Sequence, residues 1–135
     1  MPMQPKDSYY GYPVRSPYQG ESEYFRANPT VSGMATEDGK IIFNPHSEGV
    51  NRDAVGRNEA VRLWLRQNNV DPEFSVTREQ AERFRGTPYE NNPRGLKSTI
   101  LGRIISGDPS SGNATDEQKA FAESVLNRIK KGMEP

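Results

Sequence analysis

Proline stands at Pro2, Pro5, Pro13, Pro17 and Pro29, and this spacing limits what the first 29 residues can become. Each ring fixes φ, removes a backbone donor, and interrupts a helix interior or a central strand. Val14 is the one aliphatic core-type residue here besides Met1 and Met3. The expectation is an extended, polyproline-like arm over residues 1–29. The arm also holds Tyr9, Tyr10, Tyr12, Tyr18 and Tyr24, five of the six tyrosines, with Phe25 beside the last. Tyrosine offers large contact area at little conformational-entropy cost and is enriched at interfaces. Tyr9, Tyr10, Tyr12, Tyr18, Tyr24 and Phe25 are therefore the candidate partner-binding residues. Lys6, Arg15 and Arg26 balance Asp7, Glu21 and Glu23, which favours a protein partner over a phosphate backbone.

Residues 30–135 read as one small helical domain opening on a β-hairpin. Val31, Met34 and Thr36 precede Asp38-Gly39, and Lys40 to Phe43 follow; Asp-Gly between short apolar runs signals a two-residue turn with both φ positive. Asn44-Pro45 ends the second strand. The hairpin must lie on the helices or pair with another chain, because an isolated one is barely stable. Apolar periodicity then predicts four helices. The first spans Asp53 to Asn68, with Trp64 as core anchor and Leu63 flanking. The second spans Thr77 to Arg85, opened by a Thr77/Gln80 capping box. The third spans Gly95 to Ser106; its stripe Leu96, Ile100, Leu101, Ile104 and Ile105 marks the centre of the core. The fourth spans Thr115 to Lys131, with a second capping box, Thr115/Gln118, and Gly132 as its stop. The repeated Thr-x-x-Gln reads as two good helix starts and no duplication. The fold class expected is thus mainly α: about four short helices and a small hairpin packed as one domain, preceded by an extended arm.

Composition narrows function by exclusion. Hydrophobic residues make up 32% of the chain, which supports one modest core and not two. Lysine plus arginine equals aspartate plus glutamate at 18 each, with no basic block, so nucleic-acid binding is not expected. Without cysteine there are no disulfides, zinc-thiolate sites or thiol catalysis. Apolar runs of three to four residues predict neither a signal peptide nor a membrane span.

No constellation supports catalysis. Arg57-Asn58-Glu59-Ala60-Val61-Arg62 sits where a zinc peptidase places His-Glu-x-x-His, but Asn58 and Arg62 occupy the histidine positions and arginine does not ligate zinc. Glu59 and Arg62 read instead as an i,i+3 surface pair. His46, the one histidine, lies in a polar loop with Ser47 and Glu48. Three neighbours in sequence do not make a catalytic triad, which is assembled by geometry. No catalytic, metal or cofactor-binding residue is assigned, and no cofactor is expected.

Four segments carry a resemblance: Asn28 to Pro45, Arg57-Asn58-Glu59-Ala60, Phe84-Arg85-Gly86-Thr87-Pro88-Tyr89, and Arg103-Ile104-Ile105-Ser106-Gly107-Asp108-Pro109-Ser110. Together they resemble a family of small uncharacterised proteins of tailed bacteriophages, especially short-tailed ones, over roughly residues 28–120. The resemblance implies a virion-associated protein made in the bacterial host cytoplasm, with other phage structural proteins as partners and several copies in a symmetric assembly. The expected function is non-enzymatic docking through the arm, at the tail or the head–tail connection. The alternatives are a capsid decoration protein, a regulator that binds a host protein, and a degenerate hydrolase.

Overall fold

The computed structural model describes residues 7–47 and 51–133. Pro2, Pro5 and Lys6 of the arm and Glu48 of the His46 loop lie outside them. Helix accounts for 53% of the chain, as a mainly-α reading expects. In chain order the elements are β1 (Ser8–Tyr9), β2 (Tyr12–Pro13), α1 (Gln19–Ala27), β3 (Gly33–Ala35), β4 (Ile41–Phe43), α2 (Arg52–Gln67), α3 (Arg78–Arg83), α4 (Pro93–Ser106), a 3-10 turn at Pro109–Ser111, and α5 (Asp116–Met133).

The arm is not extended. β1 and β2 form a tight antiparallel hairpin with Tyr9 opposite Tyr12. Tyr10 (φ 51°) and Gly11 (φ 84°) make its turn, the two left-handed residues that match strand twist. Pro13 is tolerated because it sits on an edge. After it, Val14 bridges Ile41 in parallel and the Arg15 N–H donates to the Ile41 carbonyl at 3.0 Å. The arm therefore runs along the free edge of β4, so the 30–45 hairpin finds a partner within the chain. Nine residues between Pro17 and Pro29 then form α1. Pro17 precedes the helix and Pro29 follows it, so neither ring enters its interior. The Glu21 carboxylate accepts the Tyr18 N–H at 2.8 Å and caps its start. Phe25 is its one fully buried side chain.

Two side chains fasten the arm. The Arg15 guanidinium grips both oxygens of Glu21, at 2.7 and 2.9 Å, and reaches Asp38 in the β3–β4 loop at 3.3 Å. Its face lies 3.9 Å from the Tyr18 ring centroid. Asn44, buried at the end of β4, donates to the Val31 and Asn28 carbonyls at 2.6 and 3.3 Å and accepts the His46 N–H at 2.8 Å. The β3–β4 loop differs from the expected two-residue turn. Thr36 pairs with Lys40, leaving three residues between them, and only Gly39 has positive φ (76°). The Thr36 hydroxyl, bonded to the Asp38 carboxylate and the Lys40 backbone, holds this longer loop.

The core divides in two, contrary to the expectation of one. Val61, Leu65, Phe74, Phe84, Leu96, Ile100, Leu101, Ala122, Val125 and Ile129 form the larger cluster. Tyr9, Ile41, Phe43, Ala60 and Leu63 form the smaller. α2 supplies both from different faces, because the arm and hairpin cover what would be its solvent side. For that reason Leu63 is fully buried while Trp64 lies half-exposed at the rim under Arg128, whose guanidinium is 4.9 Å from its ring. Gly132 does not stop α5, which continues to Met133; a side chain there would meet nothing within 4 Å.

The two capping boxes face each other. Gln80 accepts the Thr77 N–H at 2.9 Å and Gln118 the Thr115 N–H at 3.1 Å, as the spacing predicts. Their amides also exchange hydrogen bonds at 2.7 and 2.8 Å. Each remaining N–H crosses over: Gln80 donates to the Asn113 carbonyl at 3.3 Å, Gln118 to the Ser75 carbonyl at 2.8 Å. Glu117 accepts the Ser75 N–H at 2.8 Å, and Glu79 the Asn113 N–H at 3.3 Å. The repeated motif therefore has a spatial reason: the starts of α3 and α5 brace one another, with both glutamines fully buried.

Candidate functional site

The six aromatic residues expected to bind a partner divide into three groups. Tyr9 and Phe25 are core residues, 5% and 0% exposed. The Tyr9 ring lies flat on Gly56, where any Cβ would sit 2.3 Å from it, and its hydroxyl donates to Asp53 at 2.7 Å. Burial, reinforced by that carboxylate, pushes its pKa up to about 12. Tyr10 and Tyr12 are half-buried, and Tyr12 donates to Gln67 at 3.1 Å. Their contact area is used inside the chain, which corrects the picture of an arm whose tyrosines all face outward. Only Tyr18 and Tyr24, 63% and 47% exposed, present their rings to solvent. Sequence could not separate the groups, because the apolar face that receives Tyr9 is built from distant residues.

Tyr24 stands at the lip of a cleft of about 990 Å³. α2 forms its floor through Ala54, Val55, Asn58, Glu59 and Arg62. Residues Thr30 to Ala35 form one wall; Thr87-Pro88-Tyr89, Thr99, Arg103 and Ser106 to Ser110 form the other. Of the six aromatic candidates only Tyr24 contributes to this lining.

Glu59 and Arg62 are not the surface pair expected of their spacing. Glu59 is 6% exposed. Burial holds its carboxyl above the usual range, although Arg62 and the Ala35 N–H both favour the charged form. Arg62 Nε lies 3.5 Å from the Glu59 carboxylate without hydrogen-bond geometry, while its Nη2 donates to Thr99 at 3.0 Å. The ring of Tyr89 is 5.7 Å away. Asn58, at the first position of the zinc-like pattern, points its buried Oδ1 at Gly102 of α4. Among the described residues no cluster of His, Cys, Asp or Glu is arranged to hold a metal, and His46 is exposed and lines no part of the cleft.

Arg103 differs from Arg62. Its guanidinium lies over the Phe84 ring at 4.9 Å and makes no ion pair or hydrogen bond among the described residues. Burial lowers its pKa, opposed by the charge of Asp108 nearby. Sequence reading passed over it, although a cation between Leu101 and Ile104 on the most apolar helix was a signal. β3 supplies the second open feature. Asn44 pairs back to Ser32 and Lys40 to Thr36, with Met34 opposite Ile42 between them. Antiparallel alternation then turns the N–H and C=O of Gly33 and Ala35 away from β4. Glu59 takes the Ala35 N–H; Gly33 has no hydrogen-bond partner on that side among the described residues.

No helix among the described residues is long and apolar enough to cross a membrane. Comparison with known protein families, with curated proteins and with solved structures found no match.

Proposed function

We propose that this chain is a non-enzymatic docking component of a bacteriophage particle, at the tail or the head–tail connection, and that its partner-facing surface is the cleft with Tyr24 at the lip. The observation that carries this reading is the cleft itself. It joins an exposed tyrosine, a guanidinium that makes no ion pair among the described residues and the outward backbone of Gly33 in one concavity, the mixture of aromatic and arginine anchors typical of protein interfaces. Net charge of zero suits a protein partner. The buried carboxylate is already engaged by Arg62 and a backbone N–H, so it supports the architecture and leaves no free acid–base pair.

Quantitative mass spectrometry of purified particles tests the placement. The chain is expected at a fixed copy number matching a ring of the assembly; its absence from particles sinks the reading. Tyr24→Ala tests the surface. An exposed substitution shifts stability by about 0.5 kcal/mol or less, so the variant is expected to fold normally and to be depleted from particles.

A further inference from the structure

We infer that the cleft takes an extended, acidic segment of a partner protein, its main chain hydrogen-bonded to the outward backbone of Gly33 in β3, with one carboxylate side chain seated on Arg103. This inference rests on the docking reading above and specifies the chemistry of the occupant.

The backbone comes first. Gly33 offers an outward N–H and C=O with no partner among the described residues, beside a cleft that residues Thr30 to Ala35 help to line. A peptide in β conformation satisfies such an edge through main-chain hydrogen bonds, and alternate side chains then enter the cleft. At about 990 Å³ the space is at the top of the ~300–1,000 Å³ range of small-molecule pockets, which suits a stretch of chain better than one compact ligand.

Charge then selects the segment. Of the two guanidinium groups lining the cleft, Arg62 is engaged by Glu59 and Thr99. Arg103 lies over the face of Phe84 with the charge of Asp108 nearby, and among the described residues its in-plane donors make no hydrogen bond, which leaves them open to a bidentate carboxylate. The negative charges of Glu59 and Asp108 nearby oppose a phosphate dianion or a run of phosphates, but one carboxylate can meet one fork. A nucleic acid also has no main chain to pair with β3.

A random peptide library selected on the immobilised full chain, with a single-stranded oligonucleotide as competitor, tests this. The enriched peptides should share an Asp or Glu flanked by β-branched residues, and the oligonucleotide should not displace them. Bound to the isotopically labelled protein, a selected peptide should shift the Gly33 amide and the Arg103 Nε–H. Arg103→Gln should weaken it at least about tenfold, the order of one charge-assisted hydrogen bond, with Arg103→Lys intermediate. If Arg103→Gln fails to fold, exchanging the acidic residue of the peptide for its amide should give the same loss. No enrichment, a consensus without an acid, displacement by the oligonucleotide, or shifts confined to other surfaces would each overturn the inference. Particle incorporation reads the docking proposal separately: a chain that incorporates but selects no acidic peptide refutes the peptide inference alone, and one that binds such peptides but is absent from particles refutes the virion role alone.

Discussion

Gly102 and Asn58 show how much of the packing is decided by single atoms. A Cβ on Gly102 would sit 1.8 Å from Asn58 Oδ1, so α4 lies on α2 at a distance only glycine permits, with its Cα–H facing the otherwise unpartnered oxygen. Gly102→Ala gains about 1 kcal/mol of helix propensity, but forcing Asn58 aside costs more. The expected net loss, roughly 1–3 kcal/mol, is read from urea denaturation, and adding Asn58→Ala should recover most of it. The carboxylates make a second prediction. The Arg15 guanidinium holds Glu21 below its usual range, and the Thr36 hydroxyl together with Arg15 does the same for Asp38. Their stabilisation is present above the ordinary carboxylate values and is lost as pH falls through the lowered ones. Glu59 acts in the opposite sense. Burial raises it above 4.5, so its contribution is complete below that value and is lost as pH climbs through the raised one. Denaturation midpoints should therefore rise with pH as Glu21 and Asp38 ionise, then decline as Glu59 is made to. Glu59→Gln should flatten only the decline, and Arg15→Gln only the rise.

At the level of elements, the arm is held where Tyr9 meets Gly56. Gly56→Ala places a methyl 2.3 Å from the Tyr9 ring, and that ring cannot move without lifting β1 and β2 away from α2. The expected outcome is release of residues 7–27: faster proteolysis there, loss of α1 from the helical signal, and a larger cluster that stays folded. Tyr9→Phe, which removes the hydroxyl that donates to Asp53, should cost about 0.5–1.5 kcal/mol and leave the arm in place. The helices with apolar stripes and caps were legible in the sequence because their signals are local. Thr77 caps where it should, Asn51 caps α2, and Gly107 ends α4 in a left-handed conformation. α1 was hidden because proline density was counted over the whole arm, while the helix needs only nine of the residues between two rings. The turn at Tyr10-Gly11 was passed over in favour of Asp38-Gly39, where Thr36 directs a longer loop.

For the whole molecule, legibility ends where distant segments meet. Asn58, Glu59 and Arg62 were noticed together for a metal chemistry they cannot perform. That Thr99, Tyr89 and Arg103 would close around them depended on how α4 crosses α2, which no local pattern encodes. Deleting residues 1–27 would be a poor test of docking, because it takes Tyr9 and Phe25 out of the interior; loss of stability on such truncation is expected whatever the arm binds. The paired glutamines have a consequence for motion. Each amide of Gln80 and Gln118 is saturated by the other and by the opposite chain segment. The first turn of α3 therefore cannot fray without stripping donors at the first turn of α5, and opening one leaves buried polar atoms in the other, at about 1–3 kcal/mol each. Native-state hydrogen exchange should find the backbone amides of Thr77, Gln80, Thr115 and Gln118 protected by a single shared opening free energy. Gln80→Ala should accelerate Thr115 as much as Thr77. Two stretches far apart in the chain would then breathe as one unit, although all of α4 lies between them in sequence.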